Sequence, residues 1–562
     1  MDYKSVIASH LNCDLLEKEE ILAALVPTQD EKNGDICLPC FKFSAKLHKA
    51  PPVIARELGE SFCKVPLVER TEIAGGYLNF YFNREFVAEN VIGSMQKNGF
   101  EIKPAEKNGK TVCIDYSSIN IAKPFHIGHL LTTAIGGSLY RIFNFCGYNA
   151  VGINHLGDWG TQFGKLIVAY KKWGDDEDIE KRNIRALLDL YVRFHSEAET
   201  NPALEDEGRY WFKKIEDGDE EALGIFHKFK DITLKEVAKV YDRLGITFDS
   251  YAGESFYNDK MQPVIDLLKE KKLLEVSEGA SVVDLENYGM PPCLILKKDG
   301  TTLYATRDLA AAVYRKNTYD FYKCLYVVAY QQNLHFKQIF KVLELMGYDW
   351  AKDCVHVPFG MVSLEGAGSL STRKGNVVFL SDVLDSATAK AYEIIDEKNP
   401  DLENKEKTAS DVGVGAVVFG ALSGGRIKDI SFSLDKALSF DGETGPYLQY
   451  THARCCSIIN KAGEDAGERD YKILTGNDAF AVVKLVDAFD SVVMSALEKY
   501  EPSIISRYLI DLAQAFNKFY VGSRIIGEAP AVAGTRLALV KAVRSVLKTG
   551  LGLILLNAPE KM

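Results

Sequence analysis

No apolar run in this chain approaches the roughly 20 residues that a membrane-crossing helix needs, so no membrane partner is expected. The opening residues Met1-Asp2-Tyr3-Lys4 lead into no apolar signal core, which points to the cytoplasm. A basic excess is also missing. The 67 Lys and Arg stand against 78 Asp and Glu, a formal net charge of -11, which excludes a protein that coats nucleic acid indiscriminately but leaves room for a local basic groove. Cysteine occurs 11 times without a metal-binding pattern: only Cys37 and Cys40 have ligand spacing, and Cys455-Cys456 supplies no second pair. Reduced thiols are therefore expected, and no structural zinc. Internal repeats and low-complexity tracts are absent. With 47% hydrophobic and 26% charged residues over 562 positions, the composition is that of an ordinary globular protein with room for roughly two to four domains.

The most informative stretch is Asn120-Ile121-Ala122-Lys123-Pro124-Phe125-His126-Ile127-Gly128-His129. Before it, Thr111 to Tyr116 alternates apolar and polar residues, which predicts a half-buried strand. After it, Leu130, Leu131, Ala134, Ile135, Leu139 and Ile142 recur at helical spacing, with Asn120 and Pro124 as a helix-start signal. Side chains at such a helix start face free backbone N–H groups and the positive end of the dipole, a ready anion site. Histidines there can donate to phosphate oxygens, and Gly128 leaves room for a flat base. A pair of ordinary surface histidines is the plain alternative.

From Thr111 to about Asp382, strand-like runs at 111, Ala150 to Ile153, Cys293 to Leu296, Cys324 to Val328 and Val355 to Phe359 alternate with helical ones. This predicts an α/β, doubly wound parallel-sheet (Rossmann-type) domain over 106–440. Between about 164 and 279 the pattern turns helical and charged, as in a helical insertion. Residues 1–105 suggest a small α+β domain, with a helix near Val53 to Leu58 and a strand at Tyr77 to Phe82. Over 441–562 strand signals vanish and an all-α bundle is predicted.

Three further segments carry chemistry. Asp115, Asp308 and Gln332 are candidates to meet a cationic ligand: Asp115 ends the first strand, Tyr304 and Asp308 open a helical run, and Gln332 follows the strand at Leu325 to Val328. Asp308 could equally be a helix cap, and Asp115 an exposed strand residue. Ser371-Thr372-Arg373-Lys374-Gly375 is a basic, glycine-flanked loop able to close over a triphosphate, or a merely solvated one. Tyr447, Tyr450 and Arg454 lie one helical turn apart, suited either to a core or to stacking on unpaired bases beside a phosphate contact.

Taken in order, these strings resemble the arginyl-tRNA synthetases of class I. The first is similar to the family's HIGH signature, SSPNIAKPFHIGH, departing at Ile119; the basic loop is similar to KMSTRKG, with Ser369 and Leu370 in place of its first two residues. The resemblance implies ligation of L-arginine to tRNA(Arg) through an arginyl-adenylate, with ATP and Mg2+ as its counter-ion, and a first step that needs bound tRNA. It also implies catalytic roles for Lys123, His126 and His129, and ATP contacts from His126, Gly128, His129, Ser371, Thr372, Arg373, Lys374 and Gly375. Arginine would be held by Asp115, Asn120, His129, Tyr304, Asp308 and Gln332, and the anticodon by Tyr447, Tyr450, Arg454 and Met562. The N-terminal domain would touch the tRNA elbow, and a monomer is expected. Thr372 stands where a more strongly catalytic lysine would be, and the resemblance assigns its task to Lys123. Two rivals stay open: a catalytically weakened tRNA-binding paralog, motivated by Ser369, Thr372 and Leu131, and a class I synthetase for another amino acid.

Overall fold

Thr111–Asp115 is one of the two inner strands of a four-stranded, wholly parallel sheet ordered Cys354–His356, Lys323–Tyr326, Thr111–Asp115, Asn149–Ile153. In register, Leu325 lies opposite Ile114, and Ile114 opposite Gly152. These coordinates are a computed structural model describing residues 2–28, 30–298, 302–365, 377–463 and 467–562. The inner position makes Val112 to Asp115 fully buried, where alternation alone suggested one wet face. Parallel strands need crossovers that cover both faces, so the polar positions of this strand are buried too. The sheet order reverses direction at the Thr111 strand, and a crevice at the carboxyl ends of such strands is where doubly wound folds bind ligands.

The helix after this strand is Leu130–Phe145. It lies so close that a Cβ on Gly136 would stand 2.2 Å from Tyr116 Cβ, and one on Gly137 2.2 Å from Ile246 Cδ1. Pro124 does not open it. The chain first makes a 3-10 turn at Ile127–His129, because the lead-in is committed to a strained loop with Ser117, Ser118 and Ala122 all at positive φ. Each such residue costs about 1–2 kcal/mol. Side-chain bonds hold them: Ser117 Oγ to Thr133 and Tyr241 at 2.9 and 2.7 Å, Ser118 Oγ to Asp115 at 2.8 Å, and Ala122 N–H to Thr233 Oγ1 at 2.9 Å.

The strand at Cys293–Leu296 departs from the parallel pattern. It belongs to a separate antiparallel sheet with Glu275–Ser277 and Ala280–Val283, since a two-residue turn joins the first pair, a nine-residue loop the second, and antiparallel pairing needs no crossover. Helices fill the stretch between the first two halves: Thr161–Trp173, Ile184–Thr200, Ala203–Glu216 and Glu220–Leu244.

Two compact units emerge. The larger holds residues 103–454, 491–510 and 547–562, including the parallel sheet. The smaller joins residues 1–102 to 455–490 and 511–546. It contains an antiparallel sheet ordered Val26–Pro27, Ile36–Pro39, Tyr77–Phe82, Val68–Ala74. Within it Arg84 Nη1 donates to Thr475 O at 2.8 Å, and Arg469 Nε to Gln96 Oε1 at 3.0 Å. The C-terminal part is helical throughout: Gly445–Ala462, Asn477–Lys499, Ser503–Gly522 and Pro530–Leu553. Among the described residues no helix is long and apolar enough to cross a membrane.

Candidate active site

His126 and His129 cap one another. The Gly128 N–H donates to His126 Nδ1 at 3.0 Å, and the His126 N–H donates to His129 Nδ1 at 3.2 Å. Their rings lie 4.0 Å apart between centroids. Burial lowers the His126 pKa to about 4, helped by the nearby Lys123 charge, and burial lowers His129 to about 3. Both rings are therefore neutral near pH 7. Because each Nδ1 is an acceptor, the single ring proton sits on Nε2, which makes each histidine an N–H donor rather than a cation. Gly128 is required for this arrangement: a Cβ there would stand 2.7 Å from His126 Cε1.

The segment after the basic loop runs beside this turn. Ile127 N–H donates to Val378 O and Leu380 N–H to Phe125 O, both at 3.0 Å, and His126 bridges Phe379. Ser371 to Gly375 themselves lie outside the described residues. Their downstream connection is nevertheless anchored on the histidine turn.

Tyr304 and Asp308 sit four residues apart on the helix Tyr304–Tyr319 and so share a face. Asp308 is one turn in and is not the cap. Its Oδ2 accepts from His335 Nε2 at 2.6 Å, while no hydrogen bond is made to Oδ1 among the described residues. Burial is the largest influence on Asp308 and opposes its ionisation, but the His335 bond together with the charges of His335, His155 and Arg315 outweighs it and holds the carboxyl below its usual range. Gln332 is exposed at the start of the helix Asn333–Leu345. Asn120 is exposed and bridges Gly157. Asp115 is buried, and both of its oxygens are taken: Oδ2 by Arg315 Nη2 at 2.7 Å and Oδ1 by Ser118. Arg315 is 1% exposed. Burial alone would lower its pKa, yet Asp115 and the surrounding groups hold it well above the usual value. Removing one partner of such a pair costs about 3–5 kcal/mol.

Glu254 carried no sequence signal, and the fold brings it to the same place. Its N–H is tied to Leu156 O at 2.9 Å, and its carboxylate lies 3.8 Å from Arg307 Nη1 with no hydrogen bond to either oxygen among the described residues. Burial pushes its pKa up to about 7 against the pull of Arg307, with the charges of Asp308 and Asp158 adding to the rise. Asp158, from the conspicuous Gly157-Asp158-Trp159-Gly160 string, is fully buried and accepts from Ser255 N and Oγ and from Lys230 Nζ at 2.7–2.9 Å. Its role is to fix the turn that presents Glu254. Sequence patterns missed Glu254, which lies in no spaced motif, and reached the string Gln331 to His335 without assigning His335, because its partner Asp308 lies on another helix.

At the start of the helix Gly445–Ala462, Tyr450 is 41% exposed, not a core residue. The Arg454 guanidinium lies 4.8 Å from its ring centre, and Phe440 meets it edge-on at 6.4 Å. Lys398 Nζ lies 5.0 Å over Phe440. Tyr447 is half-buried. Met562 packs on the small core of Ala391, Ile395 and Val412 that also carries Phe440, and its carbonyl accepts from Asn399 Nδ2 at 3.3 Å. These cations and open aromatic faces form a surface suited to unpaired bases.

Residues 91–434 match the family model described as tRNA synthetases class I (R), catalytic domain; residues 448–562 match the DALR anticodon binding domain; and residues 2–82 match the arginyl tRNA synthetase N terminal domain. The chain is 53% identical over 565 residues to an arginine--tRNA ligase of Alkaliphilus metalliredigens, and 53% identical over 566 residues to one of Clostridioides difficile, covering 100% of each chain. Among solved structures it is similar to the Thermus thermophilus arginyl-tRNA synthetase, with TM-score 0.83, 27% identity and 96% of each chain covered. The Plasmodium falciparum arginyl-tRNA synthetase gives TM-score 0.79 at 25% identity, covering 96% of this chain and 94% of that one.

Proposed function

The chain belongs to the arginyl-tRNA synthetases and charges tRNA with arginine at the expense of ATP, and on that premise we propose how its residues divide the work. The Nε2–H groups of His126 and His129 donate to the ATP phosphates as the arginine carboxylate attacks the α-phosphorus. Lys123 and the Ser371, Thr372, Arg373, Lys374 and Gly375 loop carry the charge that moves onto pyrophosphate, with Mg2+ entering as the counter-ion of ATP. Gly128 leaves room for the adenine. This step requires cognate tRNA bound.

The reading of the arginine pocket rests above all on one observation: Asp308 and Glu254 each keep a carboxylate oxygen without a hydrogen bond, within electrostatic reach of one another. A guanidinium presents five donors in a planar fork, which two separated carboxylates and the Tyr304 hydroxyl satisfy, whereas the compact ammonium of lysine cannot. Gln332 orients the guanidinium, and Asn120 with His129 meets the α-amino and carboxylate end. Asp115 serves indirectly, as the anion that holds Arg315 beneath the pocket.

Domain roles follow: residues 1–105 at the tRNA elbow, 106–440 for chemistry with the insertion at about 164–279, and 441–562 at the anticodon through Tyr447, Tyr450, Arg454 and Met562. A cavity of about 420 Å³ lined by Asn33, Cys37, Tyr77 and Asn79 on the N-terminal sheet suits an unpaired elbow base. The enzyme works as a monomer in the cytoplasm, whose reducing poise matches its free cysteines.

Two outcomes test the site. Replacing Gly128 with Ala should turn the His126 ring aside and lower kcat by about 10²-fold, the cost of misplacing a reacting group by an ångström. The midpoint of thermal unfolding should barely move; a kcat within threefold of the parent would place His126 away from the phosphates. The second outcome concerns pH. Glu254 must lose its proton to bind a cation, and a pKa of about 7 leaves it mostly protonated at pH 6. The KM for arginine should therefore rise about tenfold between pH 8 and pH 6. The same series with Glu254→Gln should be flat and high. A parent whose KM does not change over this range would remove Glu254 from the pocket.

A further inference from the structure

One short contact in the pocket has no part in binding substrate directly. His335 Nε2 lies 2.6 Å from Asp308 Oδ2, joining the helix Asn333–Leu345 to the helix Tyr304–Tyr319. Both side chains are about a quarter exposed, 24% and 28%, so the bond sits at the edge of the cleft and not in the core. We propose that His335 is a positioning residue for arginine recognition: its imidazole occupies Oδ2 of Asp308 and so turns Oδ1 toward the substrate guanidinium. This rests on Asp308 being the carboxylate that the guanidinium meets.

Three observations carry it. First, an aspartate carboxylate rotates almost freely about its last torsion, so a partner on one oxygen is what fixes the direction of the other. The 2.6 Å separation is that of a short, charge-assisted bond. Second, the imidazole is itself held. Phe336 meets its ring edge-on at 5.3 Å and stacks on His356 at 4.6 Å, and His356 Nε2 donates to Val328 O at 2.8 Å, at the end of the strand beside the site. The direction of Oδ1 is thus referred through three rings to the sheet. Third, His335 follows Gln332 by three residues, so the helix start that offers the Gln332 amide also supplies the ring that aims Asp308. A simple brace between two helices would need none of this alignment with an open carboxylate oxygen.

The test uses the full-length enzyme with tRNA present, measuring arginine-dependent ATP–pyrophosphate exchange. His335→Leu should raise the KM for arginine about 30-fold, as expected for losing a hydrogen bond to a charged group. kcat and the KM for ATP should change by less than about threefold, because the phosphate site is untouched. His335→Gln, whose amide nitrogen reaches about as far as Nε2, should recover most of the loss. In an Asp308→Asn background, His335→Leu should add less than about twofold, since it acts through Asp308. Should the Leu variant not fold, His335→Asn, too short to reach Oδ2, replaces it in every comparison. If Asp308→Asn raises the KM for arginine and His335→Leu does not, or if His335→Leu lowers kcat and raises both KM values alike, His335 is only a structural brace. If Asp308→Asn itself leaves the KM for arginine unchanged, the pocket reading fails before the positioning question arises.

Discussion

Asp308→Asn should lower kcat/KM for arginine by about 10³-fold, close to 4 kcal/mol of lost transition-state stabilisation, while the KM for ATP changes by less than about threefold. The asymmetry follows from geometry. Asp308 stands on the helix Tyr304–Tyr319, whereas the histidines stand on the turn Ile127–His129, so the substitution strikes one substrate and spares the other. An amide in place of the carboxylate also turns an acceptor toward neutral and adds donors facing a ligand that is itself all donors. Sites that hydrogen-bond their substrate lose far more on such a mismatch than sites that merely enclose it. Initial rates of exchange over separate arginine and ATP titrations decide the matter. Equal effects on both requirements would mean that Asp308 supports the fold of the site and does not hold the guanidinium.

Replacing Lys123 with Met should lower kcat by about 10²- to 10³-fold at nearly constant KM for arginine, the usual loss when a group that stabilises transition-state charge is removed. The expectation is large because the basic loop is poor in lysine: Ser369 stands where KMSTRKG has its first lysine, and Thr372 where the KMSKS form of the loop has its second one. The histidines cannot cover the loss. Burial holds His126 and His129 neutral near pH 7, so they bring donors but no net charge. Lys123 lies close enough to them for its charge to depress both rings further. Single-turnover formation of arginyl-adenylate measures the effect without product release. A drop of less than about fivefold would shift the burden to Arg373 and Lys374.

The chemistry that was legible in the sequence lies in contiguous strings. Asn120 to His129 announces an anion site because helix starts and their capping residues are local, and His126 takes its acceptor role from a residue only two positions away. Tyr304 and Asp308, and likewise Tyr450 and Arg454, share faces for the same reason. The parts that stayed hidden depend on distant segments. Glu254 comes to the pocket through Leu156 and Asp158, about a hundred residues earlier, and His335 reaches Asp308 across a complete strand. Asp115 looked like an open carboxylate until Arg315, 200 positions on, occupied it. The strand Cys293–Leu296 was visible as a strand, but which sheet it joined was not.

The sequence by itself thus determined the family, the order of most elements and the local turn that pairs His126 with His129, because periodicity, capping and turn chemistry act over one or two turns of chain. Only the tertiary structure decided which carboxylates remain open to a guanidinium and which are already neutralised. Ion pairs and hydrogen bonds are satisfied by whichever partner the fold brings within about 3 Å, and that proximity has no counterpart in sequence spacing.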